Sequence, residues 1–100
     1  MKWPRIPTKT HGAGGPIRIK LVQSIKRDGV ACWGIWDDST RTVTLDRTAR
    51  VEHKWRILFH ELTHAALDDA GISNLLSKEA VESLCDAMAN SRLQEMRAQL

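Results

Sequence analysis

Between Ala49 and Gly71 the chain reads ARVEHKWRILFHELTHAALDDAG. Plotted at 100° per residue, Val51, Trp55, Leu58, Phe59, Leu62 and Ala66 fall on one apolar stripe. The other side carries His53, Ile57, His60, His64 and Leu67. This periodicity predicts a helix from about Ala49 to Ala70, with Asp46 or Thr48 as its cap and Gly71 ending it. Beyond it, Gly71-Ile72-Ser73-Asn74-Leu75-Leu76 is a short linker. A second helix is then expected from Ser77, its cap, toward the C-terminus, with Val81, Leu84, Cys85 and Met88 as its stripe. So short a connection lets the two helices fold back on one another.

Toward the N-terminus the period changes. Ile17, Ile19, Leu21 and Ile25 alternate with Arg18, Lys20 and Ser24, the signature of a half-buried strand. Asp28-Gly29 supplies the positive-φ positions of a two-residue hairpin turn, pairing Arg27 with Val30, Ile25 with Cys32 and Leu21 with Trp36. A second turn at Asp37-Asp38-Ser39-Thr40 would set Val43 opposite Gly34 and Leu45 opposite Cys32. Both turns bring apolar residues to one face, so a three-stranded antiparallel meander is expected. Trp33 and Ile35 fall on the opposite face. Residues 1–16 hold all three prolines and Gly12, Gly14 and Gly15, and read as a flexible arm before a single domain of residues 17–100. The expected fold class is α+β, with the small sheet packed against the first helix and the second helix beside it.

Composition narrows the function. With 42% hydrophobic and 27% charged residues, the chain of 100 residues is an ordinary globule and wholesale disorder is excluded. No apolar run approaches the roughly 20 residues needed to span a bilayer, and Met1-Lys2-Trp3-Pro4-Arg5 is unlike a secretory signal. Cys32 and Cys85 read as reduced residues of a cytoplasmic protein. Net charge is +3, unevenly spread: residues 1–59 carry twelve Lys/Arg against five Asp/Glu, and residues 60–100 carry three against seven. The basic half could attract nucleic acid, although no cationic run is dense enough for a binding tail.

His60-Glu61-Leu62-Thr63-His64 is an H-E-x-x-H motif inside the strongest helical segment. Spacing of four puts both imidazoles on one helix face, about 6 Å apart along the axis, where they can bind a single zinc ion. Glu61 projects beside the pair, placed to take a proton from a metal-activated water. A catalytic zinc needs a third protein ligand. His53 lies about 10 Å away along the axis and cannot share the metal; His11 sits in the arm, and Cys32 is assigned to the sheet core. On the second helix Glu82 borders the apolar stripe while Glu79 points nearly opposite it. Glu82 is therefore the first choice and Glu79 the second. Asp86, one turn past Glu82, could orient a ligating histidine, with Asp68 as its rival.

These residues resemble the zincin metallopeptidases of the gluzincin branch, in particular the small ImmA/IrrE-type metallopeptidases, including compact phage and prophage forms, and the minimal gluzincins. The likeness runs from about residue 30 to 95. It rests on Gly34-Ile35-Trp36-Asp37, Thr42-Val43-Thr44-Leu45-Asp46, Leu58-Phe59-His60-Glu61-Leu62-Thr63-His64-Ala65 and Glu79-Ala80-Val81-Glu82-Ser83-Leu84. The resemblance implies a zincin-like fold with one Zn2+ ion held by His60, His64 and Glu82, and with Glu61 as general base. It also implies a peptide or protein substrate paired in extended form with a sheet edge. Such families stabilise the oxyanion with Tyr, His or Arg; this chain has no Tyr, which leaves His53, His11 or Arg5 without singling one out. A second class stays open, a non-catalytic zinc-stabilised module binding DNA or a regulatory protein through the basic half with Trp3, Trp33 and Trp55. A third, another zinc hydrolase ligated by Cys32, lacks a supporting pattern around that residue.

Overall fold

The structure, a computed structural model, describes residues 2–100. Six strands precede two helices: β1 (Lys9–Gly12), β2 (Gly15–Val22), β3 (Ile25–Arg27), β4 (Val30–Cys32), β5 (Gly34–Asp37), β6 (Thr42–Asp46), α1 (Val51–Asp69) and α2 (Lys78–Ala98). A single 3-10 turn, Ser73–Leu75, joins the helices. The α+β class and the two helices are as expected, and the sheet is different. Four strands form a mixed sheet in the order β1-β2-β6-β5, and β3 and β4 make a separate two-stranded ribbon.

The ribbon keeps the register read from Asp28-Gly29, pairing Arg27 with Val30 and Ile25 with Cys32, because the turn itself sets it. Asp28 has φ 53° and Gly29 φ 79°, the left-handed pair such a turn demands. The rest of the meander does not form. The segment read as one middle strand breaks at Trp33 into β4 and β5, and β6 takes the central place, parallel to β2 and antiparallel to β5. Leu21 therefore pairs with Leu45 instead of Trp36, and it stays exposed. Burial explains the order. Val43 and Leu45 are fully excluded from water, each worth about 1.5–3 kcal/mol, and only a central strand covers both of its edges. The β5–β6 register is shifted two residues from expectation, Trp36 facing Val43 and Gly34 facing Leu45. A shift of two preserves the face of every side chain.

Residues 1–16, read as an arm, contribute β1 and the start of β2. Ile6 packs against the main core, Trp3 against the second cluster, and the Pro4 carbonyl accepts from Trp55 Nε1 at 2.9 Å. The turn between β1 and β2 is tied to the end of α1. Arg41 Nη1 lies 2.7 Å from Asp69 Oδ1, and the Gly14 N–H donates to Asp69 Oδ2 at 3.0 Å. These partners hold the Asp69 carboxyl well down, at about 2.

α1 lies between the sheet and α2. Toward the sheet, Ile57, Leu58 and Ala65 join Ile17, Ile19, Val43 and Leu45 in the main core; toward α2, Phe59 meets Ala89 and Leu93. The apolar stripe is corrected at Val51 and Ala66, which are exposed, while Ile57 and Leu67, which flank the histidines, are buried. Neither proposed residue caps α1. The N-cap is Arg50, without a side-chain bond, and Asp46 Oδ1 instead accepts from the Thr48 N–H and hydroxyl as the chain turns out of β6. Gly71, at φ 72°, follows the helix end as expected. On α2, Ser77 is the cap, accepting from the Ala80 N–H at 3.1 Å. Its buried face is Cys85, Ala89 and Leu93, with Leu84 and Met88 left exposed. Small residues let the two helices approach, so the expected stripe is rotated to the flank.

Candidate metal centre

The rotation of α2 puts Glu82 on the same helix face as Cys85, Asp86 and Ala89, opposite the histidines of α1. His60 and His64 lie one turn apart with ring centroids 5.1 Å from each other. The Glu82 carboxylate reaches both: Oε1 is 2.9 Å from His64 Nε2 and Oε2 is 3.3 Å from His60 Nε2. Two donors bound to one tetrahedral ion at about 2.0–2.2 Å are about 3.3 Å apart. A neutral imidazole pair with a carboxylate is also the donor chemistry that zinc takes. The residues fit a divalent ion.

Around this trio stand two further acids. Asp86 Oδ1 is 2.9 Å from His60 Nδ1, the nitrogen pointing away from Glu82, and 3.8 Å from Arg56 Nη2. That position suits a partner that fixes the imidazole's orientation. Asp68 is engaged elsewhere, accepting from Trp36 Nε1 at 2.7 Å and from the Ser73 hydroxyl. Glu79 is exposed, forms no ion pair among the described residues and does not line the cleft.

Glu61 is 9% exposed, with Oε2 3.9 Å from His60 Nε2. Burial pushes its carboxyl above the ordinary value, and the Glu82 charge adds to this; His64, the Trp36 backbone N–H and Arg27 oppose it. Gly34 of β5 makes the seat possible. A Cβ there would come 2.4 Å from Ile57 Cγ2 and 3.4 Å from Glu61 Cγ, so only glycine lets α1 settle this close to the strand.

A cleft of about 900 Å³ opens beside His64 and Glu82, lined by Arg27, Val30 and Cys32 of the ribbon, Trp36 of β5 and Asp38 just after it, Glu61 and His64 of α1, and Val81 and Glu82 of α2. The sequence reading missed Arg27 as a wall of this cleft, since nothing local says that the ribbon overhangs α1. Cys32 does not enter the sheet core as expected: it is half-buried in the ribbon, its Sγ 3.9 Å from the Ile25 carbonyl. His53 lies outside the cleft, stacked edge-on against Trp33 at 5.1 Å, and His11 and Arg5 are exposed outside it too.

Cys85 was read only as part of an apolar stripe. It is fully buried, and one donor atom each of His60, His64 and Cys85 lies within 4.8 Å of the others. Burial, followed by the negative charges of Glu82, Glu61, Asp86 and Asp68, pushes its thiol up to about 12. The signal in the sequence was its spacing of three from Glu82, which puts both on neighbouring parts of one helix face.

Comparison of the chain with known protein families, curated proteins and solved structures finds no match. Its function therefore has to be read from the geometry of the site.

Proposed function

We propose that this chain is a zinc-dependent metallopeptidase of compact gluzincin type, acting on a peptide or protein substrate. The single observation that supports it is one carboxylate, Glu82, within 2.9 and 3.3 Å of the two imidazoles of an H-E-x-x-H helix. His60, His64 and Glu82 would hold the ion, and Asp86 would orient His60. Bound zinc supplies Lewis acidity and makes water nucleophilic near neutral pH. Glu61, beside the trio and facing the cleft, takes up the proton released and passes it to the leaving amine. β5 is an edge strand of the sheet and gives an extended substrate a backbone to pair with. Two free thiols accord with a reducing, cytoplasmic setting; among the described residues no helix is long and apolar enough to cross a membrane.

The test is metal analysis with variants. Purified protein should carry one zinc, lost in His60→Ala, His64→Ala and Glu82→Ala and retained in Glu79→Ala. Glu61→Gln should keep the zinc and cut hydrolysis of a denatured protein by about 10²–10⁴-fold. Equal turnover in Glu61→Gln would remove the base; absence of zinc from the parent would remove the reading.

One observation favours a second reading, a zinc-stabilised module that binds nucleic acid. Arg50, His53, Arg56 and Arg97 line a separate cleft of about 420 Å³ with a single acid, Glu52, which pairs with Arg97. Trp33, exposed, stacks on His53 beside it. A salt-dependent mobility shift with duplex DNA, together with no cleavage of any protein, would establish this reading over the first.

A further inference from the structure

Resting on the metal site proposed above, we infer that Cys85 is a fourth protein donor to the ion of His60, His64 and Glu82, closing its coordination shell in a resting form. Cys85 has no exposed surface, yet its Sγ falls in one group with one nitrogen of each imidazole, all within 4.8 Å. On a tetrahedral ion, nitrogen at about 2.0–2.1 Å and sulfur at about 2.3 Å are about 3.6 Å apart. The existing spacing closes with a movement of about 1 Å. Direction matters as much as distance. The Glu82 side chain is half-exposed and comes from the cleft, whereas Cys85, three residues further along α2, comes from the interior. The two therefore approach the histidine pair from different sides.

A thiol that coordinates a divalent ion is held as thiolate, a soft donor that zinc favours. Two imidazoles, one carboxylate and one thiolate make a closed set of four, the pattern of a structural site, with no corner left for water. Release of Cys85 would need only protonation of its thiolate by solvent, leaving His60, His64 and Glu82 to hold the ion and a place open to water. No electrons are transferred.

X-ray absorption at the zinc edge of the full chain tests the assignment without a variant. One sulfur at about 2.3 Å beside three nitrogen or oxygen donors at about 2.0–2.2 Å is expected. Cobalt-substituted protein should show a near-ultraviolet thiolate-to-cobalt band that is lost in Cys85→Ser and kept in Cys32→Ser. A shell of nitrogen and oxygen only, in protein whose metal is lost in His60→Ala, overturns the role of Cys85 and leaves the histidine site standing. Metal that persists in His60→Ala and His64→Ala overturns both.

Discussion

The two flanks of α1 are built from the same helical period and do opposite work. The flank toward the sheet is sealed: Ile57, Leu58 and Ala65 are each at most 6% exposed, packed on Ile17, Val43 and Leu45. The flank toward α2 keeps a smaller apolar patch, Phe59 with Ala89 and Leu93, edged by Trp3, Trp55 and Met96. Polar pairs supply much of the rest, joining His60 and His64 to Glu82 and Asp86, Arg56 to Asn90, and Glu52 to Arg97. A helix anchored by packing on one side can hold titratable side chains on the other without relying on them for its position. The fold should then survive damage to the site, and the site should be sensitive to changes that leave the fold intact.

The largest effect that would break this division lies on the sealed flank. Leu45→Ala leaves a cavity in a fully buried central strand and is expected to cost about 2–5 kcal/mol in chemical denaturation. A domain of this size has a total stability of about 5–15 kcal/mol. The folded fraction should still bind one zinc, and loss of zinc from folded Leu45→Ala protein would show that the flanks are coupled. On the other flank, Asp86→Asn should leave the unfolding midpoint of metal-free protein unchanged and weaken zinc binding by about 10–100-fold in a chelator competition. An unchanged affinity would remove Asp86 as the orienting partner of His60.

The smallest effect concerns acid. Asp69 is held at about 2 by Arg41 and the Gly14 N–H, below the ordinary aspartate value of 3.8. A depressed carboxyl contributes its full stability above the unfolded pKa and loses it as pH falls through the folded one. Stability should therefore decline between about pH 4 and pH 2, measured as the thermal midpoint. Arg41→Met should flatten this decline and lower the midpoint at neutral pH. An identical slope in the variant would mean that other carboxyls carry the acid sensitivity.

What was legible in the chain follows from range. The Asp28-Gly29 turn fixes Ile25 against Cys32 because four neighbouring residues settle it, and Ser77 caps α2 for the same reason. The pairing of β2 with β6 brings together residues 24 apart, such as Ile19 and Val43. Alternation alone fits either a meander or the mixed sheet. In the site, the spacing of His60, Glu61 and His64 puts the three on one stretch of helix whatever the tertiary fold. Glu82 over Glu79 could be argued from the amphipathic face, although the true face of α2 is centred on Cys85 and Ala89, beside Glu82.

By itself, the sequence determined the two helices, their turn signals and a histidine pair at the spacing of one turn, all set by contacts within a few residues. Only the tertiary structure decided that β6 is central, that Gly34 lets Glu61 sit against β5, and that Cys85 lies within 4.8 Å of the histidine nitrogens grouped with it. Those outcomes depend on which surfaces bury each other best across the whole chain, a competition that no local pattern records.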